Sequence, residues 1–166
     1  IDIHAHITPQ CFQRVVLNGG TFHGMTAKEG EIDNPRHRWT PEWRLREMDA
    51  MGVDIQVLSP TVSFYKYDAT LSDTAAIARE CNDEIGQMIK DYPGRFAGLA
   101  TLPMQDIPAA IAELERCMNN LGFKGCQIND HINGKTPDEP EFLPFYKAAE
   151  QMGAVILFHQ SGSTVV

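Results

Sequence analysis

The sequence predicts an α/β fold in which helices cover a parallel β-sheet. Short runs of apolar and β-branched residues alternate with segments whose apolar residues recur every 3.6 positions. The short runs are apolar on both faces, which is typical of buried parallel strands. Alternation of strand and helix favours right-handed crossovers, either in an open doubly wound sheet or in part of a barrel.

Each element is predicted from its own pattern. The predicted strands are Ile1 to His6, Val53 to Ser59, Phe96 to Leu102, Gly125 to Asn129 and Ala154 to His159. The predicted helices cover residues 41–51, 73–90, 107–121 and about 142–152. Thr40 is the expected N-cap of the first helix, since Pro41 follows it, and Gly52 is expected to end that helix.

Chain length limits how much of a barrel is present. A complete (β/α)₈ barrel typically needs about 250 residues, whereas this chain has 166 and five predicted strands. We therefore expect residues 1–166 to be the N-terminal part of one domain if the sheet closes into a barrel. Residues 7–38 are rich in glycine and polar residues and do not follow the alternation, so we expect a rim or lid insertion there.

Composition excludes several classes of partner. The formal net charge is -8 and lysine and arginine do not cluster, which argues against nucleic-acid binding. No run approaches the roughly 18 to 20 apolar residues of a membrane span, and a basic segment followed by an apolar one is missing at the start. The expected location is the cytoplasm, with the four separated cysteines reduced.

Two histidines at the end of the first strand form a candidate chelating pair. His4 and His6 are two residues apart, so their side chains point to the same face of a strand. Strand ends in barrels and open α/β sheets form the active-site mouth. The alternative is one core histidine and one loop histidine, and the strand-end position argues against it.

A third histidine ends the fifth strand and would reach the same mouth. With His159, the pair would offer three neutral nitrogens to a borderline metal such as Zn²⁺, with a position open for water or substrate. A bound ion could polarise a carboxylate, acidify water or orient a chelating substrate. A carboxylate ligand and a general base are not evident among the five strand ends.

Other polar residues near the mouth are candidates for substrate binding. His131 lies just beyond the fourth strand and either contacts substrate or is a plain loop histidine. Arg36 and Arg38, beside Trp39, could bind a substrate carboxylate in a bidentate manner. Arg44, by contrast, is expected on a solvated helix face together with Arg46.

Most of the chain resembles a known family, the amidohydrolase-related decarboxylases typified by aminocarboxymuconate-semialdehyde decarboxylase. The segments that carry the resemblance are Ile1 to His6, Trp39 to Asp49, Gly52 to Ser59, Tyr92 to Phe96, Thr101 to Gln105, Gly122 to Ile128 and Phe158 to His159. The chain departs from the pattern where Gln160 replaces a usual proline and Asn129 a usual glycine, which predicts a different acid as substrate.

The resemblance implies a (β/α)₈ TIM barrel of the metal-dependent hydrolase type, of which this chain holds the first five strands. It implies a divalent ion, Zn²⁺ before Mn²⁺ or Fe²⁺, bound by His4, His6, His159 and a later aspartate. A further histidine would act as acid or base, and we expect it and the aspartate beyond Val166. A homodimer is expected for the full-length protein.

Three hypotheses for function follow. The first is non-oxidative decarboxylation of a small unsaturated or aromatic carboxylic acid. The second is metal-assisted hydrolysis or hydration of a related acid, because similar barrels use the same ligands to activate water. The third is a metal-binding module without turnover, since half a barrel leaves strand edges unpaired.

Overall fold

A computed structural model describes residues 1–30, 32 and 40–160 of the chain. The strands are β1 (Asp2–Ile7), β2 (Gln56–Pro60), β3 (Phe96–Ala100), β4 (Gly125–Asn129) and β5 (Val155–His159). The α-helices are α1 (Gln10–Val16), α2 (Pro41–Met51), α3 (Leu71–Asp91), α4 (Ile107–Leu121) and α5 (Leu143–Met152). Short 3₁₀ helices cover Val62–Phe64 and Pro140–Phe142.

The strand order decides between the two predicted architectures. All neighbouring strands pair in parallel, in the order β1-β2-β3-β4-β5. A doubly wound sheet reverses its strand order at a switch point, whereas a barrel adds each strand beside the last. The continuous order is that of half a (β/α)₈ barrel, which confirms the barrel prediction.

The predicted helix starts and ends are close to those observed, and the two ends of α2 illustrate how its caps set these bounds. Thr40 Oγ1 accepts a hydrogen bond from Trp43 N, as its predicted N-cap role requires. β2 begins at Gln56, later than predicted, because Val53 lies in the turn that caps α2, where its N–H donates to Met48 O after the left-handed Gly52.

The apolar core lies between the sheet and the helices α3, α4 and α5. Leu58, Ala100 and Cys126 are fully buried strand residues of this core. The prediction that every strand is buried on both faces is wrong for β1 and β5, where Ile3 is 64% exposed and Phe158 is 51% exposed. Within the described part of the chain, each of these two strands has a paired neighbour on one side only.

The segment between β1 and α2 contains a small core of its own. Phe12 of α1 contacts the rings of Phe22 and Phe64 edge to face, at centroid distances of 5.8 and 5.0 Å. This cluster packs against Ile77 and Cys81 of α3. The part of the insertion that the structure describes is therefore anchored to the barrel wall, and its action as a rim or lid stays a prediction.

Two expectations from composition can be compared with the structure. All four cysteines are free thiols, as expected. Among the described residues, no helix combines the length and the apolar character that crossing a membrane demands. The longest of these helices, α3 with 21 residues, carries charged residues along its length.

Candidate metal centre

The three predicted histidine ligands lie together at the carboxyl ends of β1 and β5. His4 Nε2 is 2.9 Å from His6 Nε2, and His6 Nε2 is 3.1 Å from His159 Nε2. One ring nitrogen from each residue lies within 4.8 Å of the others. Two nitrogens bound to one ion at about 2.1 Å are roughly 3 to 3.5 Å apart, so these spacings fit a shared metal.

The surroundings of His6 fix which of its nitrogens faces the cluster. Ser59 Oγ donates to Gln127 Oε1 at 2.9 Å and lies 3.2 Å from His6 Nδ1. Because the single hydroxyl proton of Ser59 is used on Gln127, His6 Nδ1 is the donor to Ser59. In a neutral ring, Nε2 is then unprotonated and offers its lone pair to the cluster.

His159 is oriented in the same way by a main-chain acceptor. Its Nδ1 is 2.9 Å from the carbonyl oxygen of Gln160, which can only accept a hydrogen bond. His159 Nε2 is therefore also unprotonated in a neutral ring. Two imidazole lone pairs directed at one point suit a cation, which is the chemistry expected of a metal ligand set.

A buried arginine holds the backbone of the chelating strand. Arg44 of α2 donates to the carbonyl oxygen of His6 at 2.6 Å and to Gln56 Oε1 at 3.1 Å, while Gln56 Nε2 donates to Asp2 Oδ2 at 3.0 Å. The prediction of a solvated Arg44 is wrong: the residue is 4% exposed. Burial lowers the pKa of Arg44 to about 10, and the charge of Asp2 opposes this, so the guanidinium stays protonated at neutral pH.

Ser59→Ala tests the support of His6. Without the hydroxyl, His6 Nδ1 loses its acceptor and the ring loses its preference for presenting Nε2. We expect metal affinity of the full-length protein to fall by about 10- to 100-fold, measured by competition with a chelating dye. Thr61→Ser, near the same strand end but bonded to Ser63, is the control. Equal affinities for the Ser59 variant and wild type would contradict the assigned tautomer.

Arg44→Leu tests the support of β1. The substitution leaves the His6 carbonyl and Gln56 Oε1 without their donor, and each orphaned buried acceptor costs about 1 to 3 kcal/mol. We expect the free energy of unfolding to fall by about 2 to 4 kcal/mol in urea titrations. Arg46→Leu, on the exposed side of the same helix where Arg46 stacks on Trp43, should cost less than about 1 kcal/mol. Similar losses for both variants would show that Arg44 adds nothing beyond a surface arginine.

Of the predicted substrate-binding residues, one lies in the part of the chain that the structure describes. His131 lines a cavity of about 480 Å³ together with Tyr67 and Asn129. Arg36 and Arg38 lie outside the residues that the structure describes. Of the six histidines, His23 pairs with Glu80 at 2.7 Å, away from the cluster.

Several residues of the site escaped the sequence analysis. Gln127 was visible as a polar residue inside a buried strand, a pattern that often marks a hydrogen-bond network. Ser59 is the penultimate residue of β2 and pairs in register with His6. Tyr67, 6% exposed, lies in the loop after β2 and gave no signal in the sequence.

The chain belongs to the amidohydrolase family, whose model matches residues 1–165. It is 33% identical to 2-amino-3-carboxymuconate-6-semialdehyde decarboxylase of Dictyostelium discoideum, over 96% of this chain and 48% of that protein. It is also 33% identical to 2-keto-4-carboxy-3-hexenedioate hydratase of Sphingobium sp., over 80% of this chain and 42% of that protein.

A solved structure supports the same relationship in three dimensions. Dihydroxybenzoic acid decarboxylase of Polaromonas sp. JS666, with bound manganese and the inhibitor 2-nitroresorcinol, superposes with a TM-score of 0.77 at 25% identity. The match covers 98% of this chain and 49% of that one. The chain thus spans about half the length of the relatives it matches, and the resemblance to amidohydrolase-related decarboxylases is confirmed.

Proposed function

We propose that the full-length protein is a metal-dependent carboxy-lyase that removes CO₂ from an unsaturated or aromatic carboxylic acid without oxidation. His4, His6 and His159 bind the metal. The observation that carries the proposal is the convergence of their ring nitrogens, with the Nδ1 atoms of His6 and His159 engaged elsewhere. The names of two relatives, both decarboxylases, support the reaction class.

A divalent ion is part of this proposal. Three neutral imidazoles suit a borderline ion, so Zn²⁺ is the first expectation. The manganese in the Polaromonas enzyme makes Mn²⁺ the second. Metal analysis of the protein purified without added metal, followed by reconstitution with each ion, distinguishes them.

The reaction replaces a carboxylate with a proton. An ion held by His4, His6 and His159 would supply a positive charge that orients the acid and stabilises the negative charge that develops as the carbon–carbon bond breaks. Ser59 and Arg44 keep the histidines in place through His6. The substrate carbon that loses CO₂ takes up a proton. We propose that the further histidine expected beyond Val166 donates this proton, and that a later aspartate completes the metal ligands.

Product analysis of the metal-loaded full-length protein tests the proposal. Candidate acids are incubated without other cofactors, and CO₂ release and product mass are measured. We expect a product lighter than the substrate by one CO₂, and loss of turnover on chelation. Turnover that yields only products heavier by one water contradicts decarboxylation. Metal binding without turnover of any acid supports a binding module instead.

Hydration of a related acid is the second candidate. The Sphingobium relative carries the name of a hydratase at an identity equal to that of the Dictyostelium decarboxylase. In this case the same three histidines would bind an ion that lowers the pKa of its water to about 7. The product mass separates the two reactions directly.

We also propose that the full-length enzyme is a cytoplasmic homodimer. The cytoplasmic location is the expectation from the sequence composition, and the homodimer is the expectation from the family resemblance. Light scattering coupled to size-exclusion chromatography tests the dimer, and fractionation of native cells tests the location.

A further inference from the structure

Two cysteine thiols meet where the segment after β1 packs against the barrel wall. Cys11 lies in the first turn of α1, and Cys81 lies in the middle of α3. Both are free thiols. Burial raises the pKa of the Cys81 thiol, and a hydrogen bond with the Cys11 thiol raises it further, so the two side chains are in contact.

The backbone around the two thiols is held in place by a shared carboxylate. Gln10 N and Cys11 N donate to the two carboxylate oxygens of Glu84 at 2.6 and 2.9 Å. Glu84 follows Cys81 by three residues, so the two side chains lie on one face of α3. The first turn of α1 is therefore fastened to the face of α3 that carries Cys81, and the fully buried Phe12 and Ile77 pack in the same apolar cluster.

The two thiols differ in their access to solvent. Cys81 is 0% exposed, whereas Cys11 is partly exposed and lines a cleft of about 700 Å³ next to α1, α2 and α3. A small solute in this cleft reaches Cys11 first. Cys81 can react only with a group that is already attached to Cys11, which is the arrangement of an attacking cysteine and a resolving cysteine.

Charge in the cleft indicates which oxidant enters. Arg14 is the basic residue among the described residues of the lining, and Asp83 is paired with Arg116. The lining remains negative, because it contains five acidic residues, Glu42, Glu80, Asp83, Glu84 and Asp91. An anionic oxidant such as glutathione disulfide is repelled by this charge, whereas hydrogen peroxide is small and neutral.

We propose that Cys11 and Cys81 form a redox-sensitive pair that hydrogen peroxide closes to a disulfide, which fastens the segment after β1 to α3. In the first step, the Cys11 sulfur attacks one peroxide oxygen, the O–O bond breaks, and Cys11 sulfenic acid and one water are formed. In the second step, the Cys81 sulfur attacks the Cys11 sulfur and displaces the hydroxyl as a second water. The two cysteines together lose two electrons, which reduce the peroxide.

Peptide mapping of the metal-loaded full-length protein tests the pair. The protein is treated with hydrogen peroxide, free thiols are alkylated, and trypsin digestion follows without reduction. Trypsin cuts after lysine and arginine, which places Cys11, Cys81, Cys117 and Cys126 on different peptides. We expect the peptide that ends at Arg14 to be linked to the peptide Glu80–Lys90, and a thiol reductant to separate them.

The cross-link should also stabilise the protein. It joins residues that are 70 positions apart in sequence, and closing a loop of this length lowers the entropy of the unfolded chain. We expect the midpoint of urea unfolding to rise by roughly 0.5 to 1 M on oxidation and to return on reduction. At equal concentrations, peroxide should close the pair about tenfold faster than glutathione disulfide does, because the cleft repels the anion.

Two single variants separate the roles of the thiols. Cys81→Ala removes the resolving thiol, so Cys11 should advance to the sulfinic acid under peroxide, whereas in wild type the disulfide protects it. Cys11→Ser should leave the buried Cys81 unoxidised and remove the rise in urea midpoint. Cys117→Ala is the control, since Cys117 is equally buried but lies beside Glu113 on α4, and it should close the Cys11–Cys81 link at the wild-type rate.

The outcomes are distinct from those of the proposed reaction, which involves neither cysteine. Peroxide treatment that leaves both thiols open to alkylation, or that links Cys11 to a different cysteine, overturns the pair. Equal formation of Cys11 sulfinic acid in wild type and Cys81→Ala overturns the resolving role of Cys81. Faster closure by glutathione disulfide than by peroxide overturns the assignment of a neutral oxidant.

Discussion

His6→Ala in the full-length protein is expected to lower metal affinity by more than about 100-fold, because even residues that only support a metal ligand are worth 10- to 100-fold. His6 is the shared member of the cluster, at 2.9 Å from His4 Nε2 and 3.1 Å from His159 Nε2. Turnover should fall at least as far when the metal concentration is held near the wild-type dissociation constant. Metal content after dialysis and initial rates measure the two effects.

His23→Asn provides the matched control for this prediction. His23 is bonded to Glu80 at the surface, and its φ of 46 is one that asparagine accepts without strain. Loss of the His23 imidazole should leave metal affinity unchanged. A His6→Ala protein that retains a full equivalent of metal would refute the assigned site and, with it, the proposed reaction.

Local periodicity explains why much of this site was predictable. The two-residue spacing of His4 and His6 needs only the alternation of one strand, and the apolar run before His159 marks the end of another. Their meeting requires the curvature of the barrel, because β1 and β5 are the outer strands of the described sheet and would lie about 19 Å apart if it were flat. The barrel itself came from the family resemblance, because periodicity fits a doubly wound sheet equally well.

Arg44 was predicted to be solvated because of its charge, although its position in the helical pattern indicates burial. It lies four residues before the buried Met48, on the same face of α2. That spacing indicates burial, but a charged side chain is almost never fully buried without partners. The partners, the His6 carbonyl and Gln56, are 38 and 12 residues away in sequence, so the compensation is visible only in three dimensions.

The supporting network of His6 was hidden for the same reason. Ser59 is 53 residues from His6 and 68 from Gln127, which in turn is 62 residues from Tyr65. Each contact depends on strand register and on the path of a loop. Single-sequence reasoning locates residues on strands but not the pairing of their side chains.

Gly125→Ala is expected to be the most disruptive small substitution in the sheet. Gly125 begins β4 between Leu99 of β3 and Val155 of β5. Its φ of 152 is one that other residues rarely adopt, and an added methyl group would strike the backbone oxygen and nitrogen of Val155. Overpacking and backbone strain each cost about 1 to 3 kcal/mol, so we expect a loss of about 3 kcal/mol or more in urea unfolding of the metal-free full-length protein.

The same substitution should weaken metal binding, because β4 and β5 stay in register from Gly125 and Val155 to Asn129 and His159. A shift of Val155 relative to Gly125 would move the whole of β5 and displace His159 from His6. Gly98→Ala in β3 is the matched control: the three atoms nearest to its added methyl group belong to the Phe123 ring, and a side chain shifts at smaller cost than the backbone of a neighbouring strand. If the two alanine variants lose equal stability and keep equal metal affinity, the backbone contact at Gly125 does not set the position of His159.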